Sequence, residues 1–314
     1  MIQEWYVSFH GGEGPDCFNN IHVYSTAGQE LRKALNSQHL PPHVKLRELR
    51  GFTFGPDGNL YVVNAYFEYS EVLVFKGAVN KEGQHDFLNV FVKHDKKRNP
   101  GILHPFNAIF GRDGNLYVTS QDTNVVSRYF GPGSTTGIPG EPMPLPVVLK
   151  DVRDKLSPGT FIPSAQHAAD GLNMVRDALF APDGHLYVAD RDANCIKKYD
   201  GSSGKYLSRI DTAEKPIHLL LHTGGNDLYI GSGGTHSVLR HDFSKGSSTC
   251  FIEPRAGGLK APSGVAFGED GFFYVASRES KQILRYHEND GHPDSKPFID
   301  HLKDFPEFLL LVKR

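Results

Sequence analysis

The stretch APDGHLYVADRDANCIKKYD (181–200) contains two short strands and the turn that launches them. Asp183-Gly184 supplies a hairpin turn, LYVAD (186–190) is an aromatic and β-branched run, and CIKKY (195–199) follows after a polar break. An Asp-Gly pair flanked by such runs is a strong local signal for antiparallel strands. The order recurs in GPDGNLYVVN (55–64), GRDGNLYVTS (111–120), GGNDLYIGS (224–232) and GEDGFFYVAS (268–277). Each copy is preceded by an apolar run (GFTF, NAIF, DALF, HLLLH, GVAF) and followed by a third strand (EVLVF, VVSRY, CIKKY, SVLRH, QILRY). Fourth, outer strands are expected at FLNVFV, PVVLK, YLSRI, TCFIE and PFIDH.

A sixth copy lies at the N-terminus without its first strand: WYVSF (5–9) matches the second strand and IHVYS (21–25) the third. FLLLV (308–312), near the other end of the chain, supplies the missing one. The repeated tyrosines are Tyr6, Tyr61, Tyr117, Tyr187, Tyr229 and Tyr274. Six four-stranded antiparallel units, the first closed by the C-terminal strand, predict an all-β, six-bladed β-propeller spanning residues 1–314 as one domain. Radial closure removes the open sheet edges that invite aggregation.

Composition agrees with this reading and excludes several function classes. Glycine (33) and proline (20) are too frequent for a helical bundle. A net charge of −2 provides no field for nucleic acid or an anionic membrane. No apolar run approaches the roughly 20 residues of a membrane helix. The opening MIQEWYVSF has no signal-peptide pattern, and Cys17, Cys195 and Cys250 form neither a disulfide framework nor a zinc knuckle. These features predict a cytoplasmic protein with buried free thiols and a small-molecule substrate as its partner.

The segment LYVADRDANCIKKYD (186–200) resembles an NHL repeat, and the whole chain resembles the six-bladed propellers of the NHL and SMP-30/gluconolactonase-like group. That resemblance implies first strands lining a central channel, with a site at one mouth. It also implies metal chemistry at the axial ring, either calcium in SMP-30-like lactonases or histidine-bound zinc in NHL-type amidating lyases.

Aligning the first strands puts Arg50, Phe106, Arg176, Ile217 or His218, Ser263 and Glu307 in that ring. Two arginines repel a dication, so the residues themselves predict no cofactor, with calcium as the alternative from the resemblance. Paired arginines hold carboxylates and enolates by charge-assisted hydrogen bonds. Arg50, Arg176, Phe106, Asn107, Asn64, Gln121, Ser263 and Arg278 are the expected substrate-binding set, and His104, His218 and Glu307 the expected acid–base groups. The other histidines expected near the loop face are His10, His39, His43, His167 and His236, whereas Asp190, Arg191 and Asp192 read as structural. Long links at 11–19, 36–48, 96–105 and 151–173 are expected to cover a pocket on that face.

The chemistry expected is cofactor-free elimination, dehydration or cyclisation of an oxygenated organic substrate, as a lyase or cyclase. The alternatives are a calcium-dependent lactonase (a hydrolase) and a non-catalytic interaction propeller.

Overall fold

A computed structural model describes residues 2–66 and 69–314. Its strands form six antiparallel sheets around an axis. The first blade is β1 (Gln3–Phe9), β2 (His22–Ser25) and β3 (Glu30–Lys33), with β23 (Pro306–Lys313) on its inner side. The second is β4 (Leu49–Phe54), β5 (Leu60–Asn64), β6 (Glu71–Val79) and β7 (His85–Lys93). The third is β8 (Pro105–Phe110), β9 (Leu116–Ser120), β10 (Val125–Tyr129) and β11 (Thr160–Ile162). The fourth is β12 (Val175–Phe180), β13 (Leu186–Asp190), β14 (Cys195–Tyr199) and β15 (Tyr206–Asp211). The fifth is β16 (Pro216–Leu221), β17 (Asp227–Ser232), β18 (Ser237–Asp242) and β19 (Ser247–Ile252). The sixth is β20 (Pro262–Phe267), β21 (Phe272–Ser277) and β22 (Gln282–His287), with single bridges at Ile299 and Pro293 in place of a fourth strand.

Closure occurs where the sequence places it. Trp5 pairs with Leu311 and Val7 with Leu309, and Ile2 and Arg314 exchange backbone hydrogen bonds of 2.8 and 2.9 Å. The core is divided among the joints: each of six buried apolar clusters lies between two neighbouring blades. The repeat is a repeated physical solution. Tyr61, Tyr117, Tyr187 and Tyr274 each donate a hydroxyl to the turn aspartate four residues earlier, at 2.6–3.1 Å. The rings of Tyr61 and Tyr117 meet Phe110 and Phe180 of the following blade edge-to-face at 4.9 Å.

Three expectations are corrected. PVVLK belongs to a 3₁₀ helix over Val147–Lys155, not to an outer strand, and the third blade takes its outer strand from Thr160–Ile162. Pro144 and Pro146 lack the N–H groups that a ladder there requires. PFIDH contributes only the bridge at Ile299. The cysteines are all free, but only Cys195 is buried and Cys250 is exposed.

Irregular starts to the inner strands build the axis. Pairing registers shift within β4, β8, β12, β16 and β20 immediately after their first residues. Such bulges bring two successive residues of one strand to the axis. The first of each pair faces one mouth (Arg50, Phe106, Arg176, Ile217, Ser263), and Asn107, Asp177 and His218 face the other. Gly51 is required here, because a Cβ would lie 2.0 Å from Oδ1 of Asn107.

Candidate functional site

An upper funnel of about 430 Å³ opens at the first mouth, lined by the whole predicted ring with Ile217 at the fifth position. Its floor is Phe106, whose ring lies 5.5 Å from that of Phe308. Five cationic side chains (Arg50, Arg176, Arg191, Lys215, Arg278) and two carboxylates (Glu279, Glu307) line it, together with His10 and His104. A protein of net charge −2 has therefore gathered positive charge at one point.

The two halves of the wall differ. On the side of blades six, one, two and three, opposite charges alternate from residue to residue. Glu307 accepts hydrogen bonds from Arg50 and, at 2.8 Å, from Nε of Arg278, while Nδ1 of His10 lies 3.3 Å away. Arg50 also contacts Glu48 at 3.5 Å, Glu48 contacts Nε2 of His104 at 3.3 Å, and Nδ1 of His104 lies 3.4 Å from Asp122. Burial favours the neutral form of Glu307, but Arg50, the His10 hydrogen bond and Arg278 outweigh it and hold the carboxyl far below its usual range. Glu48 is likewise held low, its burial overcome by His104, Arg50 and His10. Glu307 is thus a fixed anion that stores two guanidinium groups, which argues against the proton-transfer role expected of it.

On the side of blades four and five carboxylates are sparse: Arg191 has Asp192 at 3.7 Å, and Arg176 has none. Arg176 donates to Oε1 of Gln121 at 2.5 Å and to its neighbour's carbonyl at 3.3 Å, and its guanidinium sits 5.6 Å from the Phe106 ring centre. Among the described residues no carboxylate comes within ion-pair distance of it. Burial, then the charges of Arg191 and Arg50, push its pKa down to about 10, with Glu307 and Asp192 opposing. Arg191 and Lys215 complete this cationic half.

Gln121, Ser263, Phe106 and Arg278 line the funnel beside Arg50 and Arg176 as expected. Ser263 already donates its hydroxyl to the Pro306 carbonyl at 2.7 Å. Three expected site residues lie elsewhere. Asn64 is fully buried; its amide accepts from the Arg47 N–H and donates to the Lys45 carbonyl, both at 2.8 Å, so it pins an interblade link. The matching strand ends Asp190, Ser232 and Ser277 do the same for their own blades. Asn107 and His218 face the opposite mouth, below the Phe106–Phe308 septum. Of the long links at 11–19, 36–48, 96–105 and 151–173, only the third reaches the funnel lining, through His104. The first of these is tied down by Asp304, which accepts from the N–H groups of Gly11 and Phe18 at 2.9 and 2.7 Å. Arg191, Lys215 and Glu279 were not foreseen as lining residues: Lys215 stands on an interblade link, whereas Arg191, which the sequence reads as structural, and Glu279 stand in the loops between the second and third strands of blades four and six.

The calcium alternative does not fit these side chains. The ring's one carboxylate, Glu307, is already engaged by two guanidinium groups, and among the described residues no group of three His, Cys, Asp or Glu has a metal-holding arrangement. Nor, among the described residues, is any helix long and apolar enough to cross a membrane.

No family model matches the chain, and no curated protein matches it in sequence. Solved structures do match. A chain of the nidogen/laminin complex superposes with a TM-score of 0.63 at 12% identity, over 98% of each chain. The periplasmic gluconolactonase of Pseudomonas aeruginosa matches 100% of this chain and 99% of its own, with a TM-score of 0.60 and 16% identity. Virginiamycin B lyase of Staphylococcus aureus matches 96% of this chain and 92% of its own, with a TM-score of 0.56 and 12% identity. At these identities the likeness is one of fold: this is a six-bladed propeller of an architecture shared by a lactonase, a lyase and a chain of the nidogen/laminin complex.

Proposed function

We propose that the protein is an enzyme that binds an anionic, oxygenated small molecule in the upper funnel and transforms it by acid–base chemistry without a cofactor, through elimination, dehydration or cyclisation. Arg176 is the observation that carries this reading: a largely buried guanidinium beside the axis, without a carboxylate, in an already cationic wall. An anion there gains charge-assisted hydrogen bonds and relieves the repulsion among Arg176, Arg191 and Lys215. At the start of the neighbouring blade His104 is the proton acceptor, since an imidazolium formed there lies between Glu48 and Asp122. Oxyanion character developing on the substrate meets the Arg176 guanidinium in a site already organised for it. His218, behind the septum, takes no part in this step.

A thermal-shift screen of carboxylate- and phosphate-bearing metabolites, followed by product analysis of the hits, tests the proposal. The expected hit is stabilising to the wild type, is consumed by it, and loses both effects in Arg176→Met. His104→Ala should retain the stabilisation and lose turnover about 100-fold or more. Hits that bind at Arg176 but are never consumed would replace catalysis with a binding role.

A further inference from the structure

We propose that the cavity at the opposite mouth is a second and separate ligand site, taking a neutral apolar alcohol or phenol whose hydroxyl donates to Nε2 of His218. This cavity, of about 340 Å³, lies below Phe308 and is walled mainly by apolar residues, among them Leu220, Leu221, Leu309 and Leu310. A volume of that size lies within the range of small-molecule pockets, about 300–1000 Å³.

The polar part of the wall is small and ordered. Asp177 is buried, and its carboxylate accepts from Nδ2 of Asn107 at 2.5 Å and from the backbone N–H groups of Ala178 and Leu219 at 2.7 and 2.9 Å. So anchored, it faces Nδ1 of His218 at 3.0 Å, while the ring edge of His218 is fixed against Phe308 at 4.7 Å. A carboxylate beside Nδ1 places the proton on that nitrogen and leaves Nε2 as a bare acceptor. Burial disfavours the imidazolium and Asp177 opposes it, with burial prevailing, so the ring is neutral.

His218 is only 7% exposed; its Nδ1, though 3.0 Å from the Asp177 carboxylate, meets it off the hydrogen-bonding direction, and among the described residues neither ring nitrogen makes a hydrogen bond. An oriented acceptor in an apolar cavity is satisfied by one donor on an otherwise apolar molecule. No lysine or arginine lines the cavity, and Asp177 disfavours a second anion, so the ligand class differs from that of the upper funnel. The two sites stand or fall separately, because Phe106 and Phe308 lie between them.

Calorimetry on the full chain with 2-naphthol tests the assignment. 2-Methoxynaphthalene, which keeps the aromatic body and lacks the donor, is expected to bind about tenfold more weakly, the effect of losing one buried hydrogen bond. His218→Phe should weaken 2-naphthol by a similar factor and make the two probes equal. Leu310→Trp, which fills the cavity from its edge and leaves both members of the Asp177–His218 pair in place, should weaken both probes. Arg176→Met should change neither. Absence of 2-naphthol binding to the wild type, equal affinity of the wild type for the two probes, or wild-type affinity in both His218→Phe and Leu310→Trp would overturn the proposal.

Discussion

Replacing Arg176 with methionine separates a binding arginine from a structural one, because the two roles predict opposite signs for stability. The fall of the Arg176 pKa from its ordinary value to about 10 corresponds to roughly 3 kcal/mol against the charged form. Water in the funnel shares that burden, and we take about 1–2 kcal/mol as the cost felt by the folded state. Methionine keeps the contact with Phe106 and gives up the hydrogen bond to Gln121, a loss of about 1 kcal/mol. The variant should therefore be as stable as the wild type or up to about 1 kcal/mol more so, a rise of about 0–3 °C in Tm. Anion affinity should fall about 10–100-fold, the worth of a charge-assisted hydrogen bond. Thermal unfolding with and without citrate or inorganic phosphate, at low and at 0.5 M salt, reads both quantities. Salt should weaken wild-type binding and have little left to act on in the variant. A Tm lowered by more than about 4 °C, with ligand stabilisation intact, would refute the reasoning and make Arg176 part of the scaffold.

The remaining predictions concern the scaffold. The Glu71 carboxyl is pushed up to about 7 by burial, with Asn64 and Lys93 opposing. Its folded pKa exceeds the unfolded one, so its contribution is present below about pH 4 and lost as pH rises through 7. Glu71→Gln should match the wild type at pH 4 and exceed it by about 2–3 kcal/mol at pH 8 in denaturant unfolding. Asn64→Ala should cost about 1–3 kcal/mol of stability and leave citrate affinity unchanged; a loss of affinity at unchanged stability would restore Asn64 to the site. Ending the chain at Glu307 removes most of β23 and should give an aggregating or unfolded product, and a soluble truncation with the parental Tm would contradict the closure.

The fold was legible because a propeller solves one problem six times. Each Asp-Gly turn is read twice in the sequence, once as a turn and once through the tyrosine that donates to its aspartate. Where a blade departs from the pattern, legibility drops: the third blade interposes a 3₁₀ helix before its outer strand, and the β-branched pair in PVVLK outweighed the signal of Pro144 and Pro146. At the axis the alignment identified the ring but could not choose between Ile217 and His218. A bulge brings both to the axis and sends them to opposite mouths, so a one-residue ambiguity becomes a difference between two cavities. Glu48 and Lys215 escaped the reading because they stand on links, whose course is set by tertiary contacts with Asn64 and Ser232.

The seam between β1 and β23 imposes an order on synthesis. A ribosome delivers β1 about three hundred residues before its inner neighbour Pro306–Lys313. Throughout that interval the edge of β1, with Trp5, Val7 and Phe9, has no strand to shield it, although the hairpins of later blades can already form. The nascent chain therefore travels as an open arc, and the arrival of β23 converts it to a ring in a single act of capture. Once shut, the ring brings residues 2 and 314 within hydrogen-bonding distance, so new ends opened in an exposed hairpin elsewhere, with residues 2 and 314 joined by a short linker, should preserve the propeller and move the moment of capture to a different blade.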